Sequence, residues 1–200
     1  EVLARTDVII DFSNPSAFAG LIEFAVKAAK PAVFATTGLN EAQLTLLHHA
    51  ADKIPVFFAA NMSLGVSLIS ELAQKAAKVL GDDFDIEIVE MHHNQKVDAP
   101  SGTALMLADS IKEALGEDMR YEYDRHAKRE KRGKNEIGIH SVRGGTITGE
   151  HEIIFAGHDE IIKISHSARS KELFATGAIN AARFLCGKPA GLYGMKELIG

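Results

Sequence analysis

Short apolar runs alternate with helical patterns over the first 60 residues of the chain. Residues 8–12, 32–35 and 55–60 are apolar runs with the length of buried strands. Residues 17–29 carry apolar side chains at helical spacing, and Asn40 is a residue type that often begins a helix. Strands that alternate with helices in this way predict right-handed βαβ units and a parallel sheet.

The run at residues 8–12 has the pattern of a fully buried strand, although it begins almost at the first residue. A parallel strand needs neighbouring strands on both sides and helices on both faces of its sheet. We therefore expect a further segment of chain before residue 1.

The middle of the chain begins with a helical pattern after Ser63 that ends at Gly81. Residues 84–91 then alternate between apolar and polar, as a strand that is buried on one face does. Residues 100–103 open another helix. The predicted buried stripes are Leu64, Leu68, Leu72 and Ala76 in the first helix, and Leu105, Ala108, Ile111 or Lys112, and Leu115 in the second.

Residues 117–135 are charged and have no apolar period, which predicts a surface loop. The basic run at residues 128–134 could bind a phosphate or an acidic partner, but a solvated loop is the expected interpretation. Three strand-like runs follow at residues 137–142, 146–155 and 160–167, and glycine-containing turns separate them. Turns of this kind join antiparallel neighbours, and the chain then returns to helix.

Together the patterns predict an α/β protein with a partial Rossmann-type parallel sheet and an α+β domain with a mixed sheet. The net charge of -5 gives no electrostatic reason to expect nucleic acid as a partner. Cys186, the lone cysteine, cannot form an internal disulfide, which fits a reducing cytoplasm. No apolar run approaches the ~20 residues of a membrane-spanning helix, and no secretory signal opens the chain.

The densest group of reactive side chains lies at residues 90–104, between a predicted strand end and a predicted helix start. A histidine such as His92 titrates near neutral pH and can donate a proton, and Lys96 supplies a positive charge. The Ser-Gly-Thr segment at residues 101–103 places unpaired N–H groups at a helix N-terminus, which favours an anion. The group therefore predicts a pocket for a small anion that receives a proton.

Simpler interpretations of the same residues are open. Adjacent histidines at a strand end are often polar surface, and Pro-Ser-Gly-Thr is a common start of a helix. A metal site made by Glu90, His92 and His93 is disfavoured, because neighbouring strand residues point to opposite faces. We predict no metal. Three further histidines in predicted strands are assigned by default either a structural role or a role in supporting the residues of the site: His140, His151 and His166.

Two loops follow the second and third predicted strands, at residues 36–38 and 58–63. In a parallel sheet both loops lie on the edge where a nucleotide crosses. Small residues there allow a flat ring to rest against the backbone, and Thr36 and Asn61 could hydrogen-bond a carboxamide. A tight turn from strand to helix without a ligand would have the same sequence pattern.

Residues 90–104 resemble the signature of the 4-hydroxy-tetrahydrodipicolinate (dihydrodipicolinate) reductase family. The family form is E-x-H-H-x-x-K-x-D-A-P-S-G-T-A, and every fixed position is matched here. The resemblance covers essentially the whole chain in order. Its other segments are residues 10–13 with Pro15, 36–38 and 60–65 on the cofactor side, and 141–145 with 149–151 in a later hairpin.

The resemblance implies NAD(P)H-dependent reduction of a cyclic imine-like dicarboxylate in lysine and diaminopimelate synthesis. It implies that His92 is the general acid and that Lys96 is the second proton donor. The implied substrate-binding residues are His93, Lys96, Ser101, Gly102 and Thr103. The implied contacts to NADH or NADPH are Phe12, Ala35, Thr36, Thr37, Ala59, Ala60, Asn61 and Met62.

The resemblance also implies a domain organisation and an assembly. Residues 1–63 correspond to the remaining part of a dinucleotide-binding domain, and residues 64–171 to a substrate-binding and tetramerisation domain. Residues 172–200 correspond to C-terminal helices that return to the dinucleotide-binding domain. The family is cytoplasmic and typically forms homotetramers through the sheet of the substrate domain.

One feature of the family is not found in the sequence. No glycine-rich strand–turn–helix precedes Asp7, so roughly 60 to 75 residues of a dinucleotide-binding region are expected to be missing. The residue that selects NADH or NADPH lies in that part. The alternative hypothesis is a dicarboxylate-binding protein that has lost cofactor binding and catalysis. Another Rossmann-type oxidoreductase that acts on a different acid is disfavoured by the complete signature.

Overall fold

The computed structural model describes residues 3–116 and 118–200, and they form two compact units. Unit 1 contains the chain up to Ser67 together with Glu172–Gly200, and unit 2 is Leu68–Lys171. The strands are β1 (Ile9–Asp11), β2 (Ala32–Phe34), β3 (Pro55–Phe58), β4 (Asp85–His92), β5 (Arg120–Glu122), β6 (Glu136–Arg143), β7 (Gly149–Ala156), β8 (Ile161–Ala168) and β9 (Gly191–Tyr193). The helices are α1 (Pro15–Lys27), α2 (Glu41–Ala51), α3 (Leu64–Leu80), α4 (Gly102–Leu115), α5 (Glu172–Leu185) and α6 (Met195–Ile199).

Unit 1 is a parallel sheet with helices on both faces. Its strand order is β1-β2-β3-β9, and each neighbouring pair is parallel. Helices α1 and α2 pack on one face against residues such as Phe34, and α5 packs on the other face against Val33 and Phe57. Asn40 caps α2 through a reciprocal pair of hydrogen bonds with Gln43, as its residue type predicted. The predicted parallel α/β region is confirmed.

The prediction of a fully buried first strand is wrong. Ile10 in β1 is 41% exposed, and Phe12 just after it is 52% exposed. Among the strands of the described residues, β1 pairs with β2 alone. The degree of burial therefore differs from the prediction within the described residues, where the apolar run has one neighbouring strand.

Unit 2 is a mixed sheet with α3 and α4 packed on one face. Its strand order is β5-β6-β4-β7-β8; β5, β6 and β4 are parallel, whereas β7 and β8 are antiparallel to their neighbours. The buried face of β4 consists of Ile86, Ile88 and Glu90, as the alternation predicted. The core that joins these elements includes Ala73, Ala77, Leu107, Ile111, Ile137, Ile153 and Phe155.

The predicted buried stripes of α3 and α4 are both only partly correct, and in α3 Leu64 and Ala76 are half-buried. Leu68 and Leu72 are 51% and 45% exposed, while Ile69 and Ala73 are buried. The two stripes are adjacent on the helix, and contact with the sheet decides which one is covered. In α4, Ala108 and Ile111 are buried as predicted. Leu105 and Leu115 are half-buried, and Ala104 and Leu107, which were not predicted, complete the buried face.

The charged segment after α4 is more structured than the predicted loop. It contains β5, which extends the sheet beside β6, and Glu117 lies outside the described residues. Arg132 donates to the carboxylates of Asp85 and Glu87, at 2.9 and 3.0 Å, and to the carbonyl oxygen of Ile86. Lys128 pairs with Glu122. These basic side chains therefore have partners within the unit, which weakens the phosphate interpretation.

The runs that became β6 and β7 are not the antiparallel neighbours that their glycine turn predicted. Strand β4 lies between them, and only β7 and β8 form the expected antiparallel pair. Residues 144–148 thus connect two strands across a third. The distance to be crossed is about 10 Å, which five residues span easily. Across the described residues, no helix is long and apolar enough to cross a bilayer.

Candidate active site

The connection between β6 and β7 passes over the end of β4. The amide of Gly144 donates to the carbonyl oxygen of His92 at 2.9 Å, and the amide of Asn94 donates to that of Gly145 at 3.2 Å. Gly145 has a φ of +48°, which glycine adopts without steric cost. The turn at residues 144–145 and the signature segment are therefore held together at one end of the unit 2 sheet.

A buried carboxylate organises this end of the sheet. Glu90 has no exposed surface, and its two oxygens accept hydrogen bonds from His92 Nδ1 at 2.6 Å, the Ser101 amide at 3.0 Å, and Arg143 Nη1 and Nη2 at 2.8 Å each. Burial by itself raises the pKa of Glu90. The hydrogen bonds from Arg143, Ser141, His92 and Ser101 outweigh burial and lower that pKa to about 2. Glu90 is therefore a carboxylate at neutral pH.

His151 is a second buried group beside His92. The two imidazole rings meet edge to face with 5.3 Å between their centroids, and His151 Nε2 lies 2.9 Å from Ser101 Oγ. Burial, with a smaller contribution from His92, lowers the pKa of His151 to about 4. His151 is therefore neutral at pH 7. The sequence predicted a structural or supporting role for His151 but did not identify its partners, because the contact with His92 joins strands far apart in sequence.

At the N-terminus of α4 the amide of Ser101, which was predicted to be unpaired, donates instead to Glu90, and Ser101 is buried. Ser101 is the N-cap, and its Oγ accepts from the amide of Ala104 at 3.1 Å. Gly102 is exposed, and a methyl group placed on its Cα would meet nothing within 4 Å. Thr103 is half-buried beside it. The start of the helix is thus open to a ligand at Gly102.

Lys96 and His93 lie on the loop between β4 and α4. Lys96 Nζ is 2.9 Å from Asp98 Oδ1, and this contact lowers the pKa of Asp98. His93 lines a cavity of about 370 Å³ together with Thr146, Thr148 and Lys171. His92 contacts Glu90 and His151, whereas His93 faces this cavity. Within residues 3–116 and 118–200, no group of three or more His, Cys, Asp or Glu is arranged to hold a metal ion.

The predicted cofactor residues share one edge of the unit 1 sheet. Asp11, Phe34 and Phe58 are aligned across β1, β2 and β3, so Phe12, Ala35 and Ala59 follow at the carboxyl ends of neighbouring strands. The neighbouring predicted residues differ in exposure: Thr37 and Ala60 are exposed, Asn61 is half-buried, and Thr36 and Met62 are buried.

The two polar residues expected to bind a carboxamide already have partners in the loops. Thr36 Oγ1 donates to Asp11 Oδ2 at 2.5 Å, and Asn61 Oδ1 accepts from the amide of Ser63 at 2.9 Å. These contacts shape the loops themselves. The small side chains of Thr37 and Ala60 are exposed along this edge, together with the larger ring of Phe12.

Two family profiles match the chain in sequence order. The profile described as "Dihydrodipicolinate reductase, N-terminus" matches residues 1–62, and the one described as "Dihydrodipicolinate reductase, C-terminus" matches residues 65–199. A 4-hydroxy-tetrahydrodipicolinate reductase of Caldanaerobacter subterraneus subsp. tengcongensis is 55% identical over 199 residues, which are 100% of this chain and 79% of that protein. One of Clostridium tetani is 50% identical over 94% of this chain and 74% of that protein.

Solved structures agree with the sequence relatives. The dipicolinate-bound dihydrodipicolinate reductase from Paenisporosarcina sp. TG-14 superposes with a TM-score of 0.78 at 27% identity, over 98% of this chain and 75% of that one. A probable dehydrogenase from Thermotoga maritima, at 11% identity and a TM-score of 0.55, shares the fold alone. Sequence profiles, relatives and fold agree, and the chain belongs to the dihydrodipicolinate reductase family, a family of NAD(P)H-dependent oxidoreductases.

Proposed function

We propose that this chain reduces 4-hydroxy-tetrahydrodipicolinate to tetrahydrodipicolinate with NADH or NADPH, in lysine and diaminopimelate synthesis. The observation that carries the proposal is the contact of His92 Nδ1 with the buried Glu90 carboxylate, at 2.6 Å, beside the open N-terminus of α4. This arrangement combines a held proton donor with amides that suit a carboxylate. Unit 2 therefore supports the proposal with a proton donor and a site for a carboxylate.

The overall reaction adds one hydride and one proton to the substrate and releases one water. Bound NADH or NADPH supplies the hydride and is oxidised by two electrons. The residues of unit 2 supply the rest. His92 delivers the proton that balances the electron density left on the ring after hydride addition, which is the one net proton of the reaction. Lys96 protonates the departing 4-hydroxyl group, which leaves as water, while a ring C–H proton passes to solvent, so the loss of water consumes no net proton. One substrate carboxylate binds at the amides of Gly102 and Thr103, and His93 contributes to the same dicarboxylate site.

The decisive experiment measures NAD(P)H oxidation with freshly generated substrate in His92→Ala and Lys96→Ala variants. General acid catalysis contributes roughly 10²- to 10⁴-fold to a rate, so each variant is expected to lose turnover on that scale. His158→Ala and Lys163→Ala are matched controls in unit 2, because their side chains are exposed and lie outside the signature. Turnover near that of wild type in both test variants contradicts these roles.

The measurement is made on the 200-residue chain and on the same chain fused behind the N-terminal residues of its 55%-identical relative. Calorimetry with pyridine-2,6-dicarboxylate and with NADH accompanies it. Binding of both ligands supports the reductase. Binding of the dicarboxylate alone, in both proteins, favours the alternative of a dicarboxylate-binding protein without catalysis.

A homotetramer is the second part of the proposal. Helices α3 and α4 cover one face of the unit 2 sheet, whereas alternate residues of β8, beginning with the 62%-exposed Ile161, are exposed. The other exposed residues of β8 are Lys163, Ser165 and Ser167, so the open face is mixed in polarity, and the expectation of assembly through unit 2 comes from the family. Sedimentation velocity is expected to show four copies, and an Ile161→Lys variant is expected to dissociate. A monomeric wild-type protein at micromolar concentration contradicts this part.

A further inference from the structure

Glu90 contacts three separate segments of unit 2. Oε2 accepts from His92 Nδ1, at the end of the same strand, and Oε1 accepts from the amide of Ser101, just before α4. Arg143, the last residue of β6, donates one bond to each oxygen. Each oxygen of the carboxylate thus accepts one hydrogen bond from Arg143 and one from a second segment, and Ser141 contributes a further side-chain hydrogen bond. One side chain therefore holds the proton donor and the start of the carboxylate-binding helix in a fixed relation.

Arg143 extends the same connection to the loop that carries Lys96. Its Nη2 donates to the carbonyl oxygen of Asp98 at 2.7 Å, and the side chain of Asp98 contacts Lys96 Nζ at 2.9 Å. Arg143 also compensates the buried charge of Glu90 with a bidentate pair, the geometry in which a guanidinium binds a carboxylate best. Both predicted proton donors, His92 and Lys96, are therefore connected to the Glu90–Arg143 pair.

The contact also determines which nitrogen of His92 carries the proton. An ionised carboxylate only accepts hydrogen bonds, so Nδ1 of His92 must be the donor toward Glu90. The proton exchanged with a substrate then resides on Nε2. A methyl group on Gly149 would stand 3.0 Å from Nε2, so the glycine at the start of β7 leaves room at that atom. The imidazole ring of His92 is thus oriented so that Nε2 is the nitrogen that exchanges a proton.

We propose that Glu90 and Arg143 are positioning residues of the reaction: they fix the Nδ1–H tautomer of His92 and hold its ring in register with the amides of α4. This inference rests on the proposed function for its kinetic consequence, but not for its structural one. Neither residue needs to touch the substrate. The pair acts through His92, as a carboxylate that orients a working histidine does in other enzymes.

Glu90→Gln tests the proposal with a change of almost no volume. A glutamine oxygen can still accept from the Ser101 amide, but its NH₂ group then faces His92 and turns Nδ1 into the acceptor. We expect His92 to switch to the Nε2–H tautomer, and kcat to fall roughly 10- to 100-fold. The affinity for pyridine-2,6-dicarboxylate is expected to change much less. Arg143→Lys, which keeps the charge but loses the bidentate pair, is expected to lower kcat by a smaller factor.

Glu87→Gln is a matched control from the same strand. Glu87 also binds an arginine and a histidine, Arg132 at 3.0 Å and His140 at 2.7 Å, but it lies on the opposite face of β4. Its loss removes the same kind of ion pair without contact to the signature residues. We expect kcat within the error of wild type and an unchanged His92 tautomer.

The tautomer is measured by nitrogen-15 NMR of labelled histidine, with the His92→Ala spectrum as the assignment. This readout needs no turnover, so it separates the two proposals: an inactive wild-type protein with the Nδ1–H tautomer contradicts the function but supports the positioning. If Glu90→Gln does not fold, the double variant Glu90→Gln/Arg143→Met removes both charges and carries the same measurement. A variant lacking the Glu90 carboxylate that keeps wild-type kcat or the wild-type His92 signals overturns the proposal.

Discussion

The predicted ligand-binding edges of the two units are built by different means. The edge of unit 1 after β1, β2 and β3 consists mainly of small or neutral residues such as Ala35, Thr37 and Ala60. Its shape comes from backbone packing and from short loop contacts. The site of unit 2 instead centres on a buried charge, Glu90, with Arg143 and His92 bonded to it. A flat ring can be held by shape, whereas a dicarboxylate that takes up a proton requires fixed charge and hydrogen-bond direction.

Gly177→Ala is expected to give the largest effect, and it tests the packing half of this comparison. A Cβ at Gly177 in α5 would lie 1.7 Å from the carbonyl oxygen of Met62, in the loop after β3. Because a backbone atom must move, we expect a loss of at least about 3 kcal/mol in the free energy of unfolding, and weaker NADH binding. Urea unfolding and calorimetry measure both quantities.

Gly20→Ala is the control for that change. Gly20 lies within α1, and a methyl group there would meet nothing within 4 Å. It is expected to stabilise the protein by about 0.5–1 kcal/mol. Two results for Gly177→Ala would contradict the distinction between the two edges. One is an unchanged affinity for NADH, and the other is a loss of dicarboxylate affinity as large as the loss of NADH affinity.

The dependence of stability on acid pH tests the part of the comparison that concerns the buried charge of Glu90. The folded pKa of Glu90 is about 2 and the ordinary value is 4.5, so the unfolded chain takes up a proton first as the pH falls. The stabilisation is complete above pH 4.5 and is lost between about pH 4.5 and 2, on the order of 3 kcal/mol in total. Glu90→Gln lacks this dependence, so its difference from wild type is expected to narrow as the pH falls. Urea unfolding measures this difference in the free energy of unfolding, and a difference that stays constant between pH 5 and pH 3 contradicts the prediction.

His151 gives a smaller effect at higher pH. Its folded pKa is about 4, below the ordinary 6.5, so protonation favours the unfolded chain as the pH falls through this interval. Wild type is expected to lose about 2 kcal/mol between pH 7.5 and pH 5, and His151→Gln to lose clearly less. His158→Gln, at an exposed position, should keep the wild-type slope. Equal slopes in all three proteins would show that His151 titrates freely.

Thr36→Val is expected to have the smallest effect. The change removes a buried hydroxyl that donates to Asp11, which should cost about 1 kcal/mol of stability. Dicarboxylate binding should be unchanged, since the contact lies wholly within unit 1. Thr36→Ser keeps the hydroxyl and serves as the control. If Thr36→Val loses affinity for the dicarboxylate and Thr36→Ser does not, dicarboxylate binding depends on a contact in unit 1, which contradicts the comparison.

Local patterns predicted the elements well, and tertiary packing explains the failures. Asn40 begins α2 because its side chain caps the first turn, and the alternation in β4 follows from one buried face. In α3 the predicted residues Leu68 and Leu72 are exposed, because two adjacent stripes of the helix are almost equally apolar. Strand β9 was not predicted, since three residues have no measurable period and its pairing with β3 joins distant parts of the chain. The cytoplasmic location and the site roles stay predictions.

The sequence by itself determined the family, through the complete signature at residues 90–104, and placed His92, Lys96 and Ser101 on one strand-to-helix connection. Neighbours in sequence stay neighbours in space, so such a segment can be interpreted without a structure. The tertiary structure alone decided that β4 separates β6 from β7 and that Arg143 and His151 meet the signature there. Those contacts join residues some 50 positions apart, and only the pairing of strands brings them together.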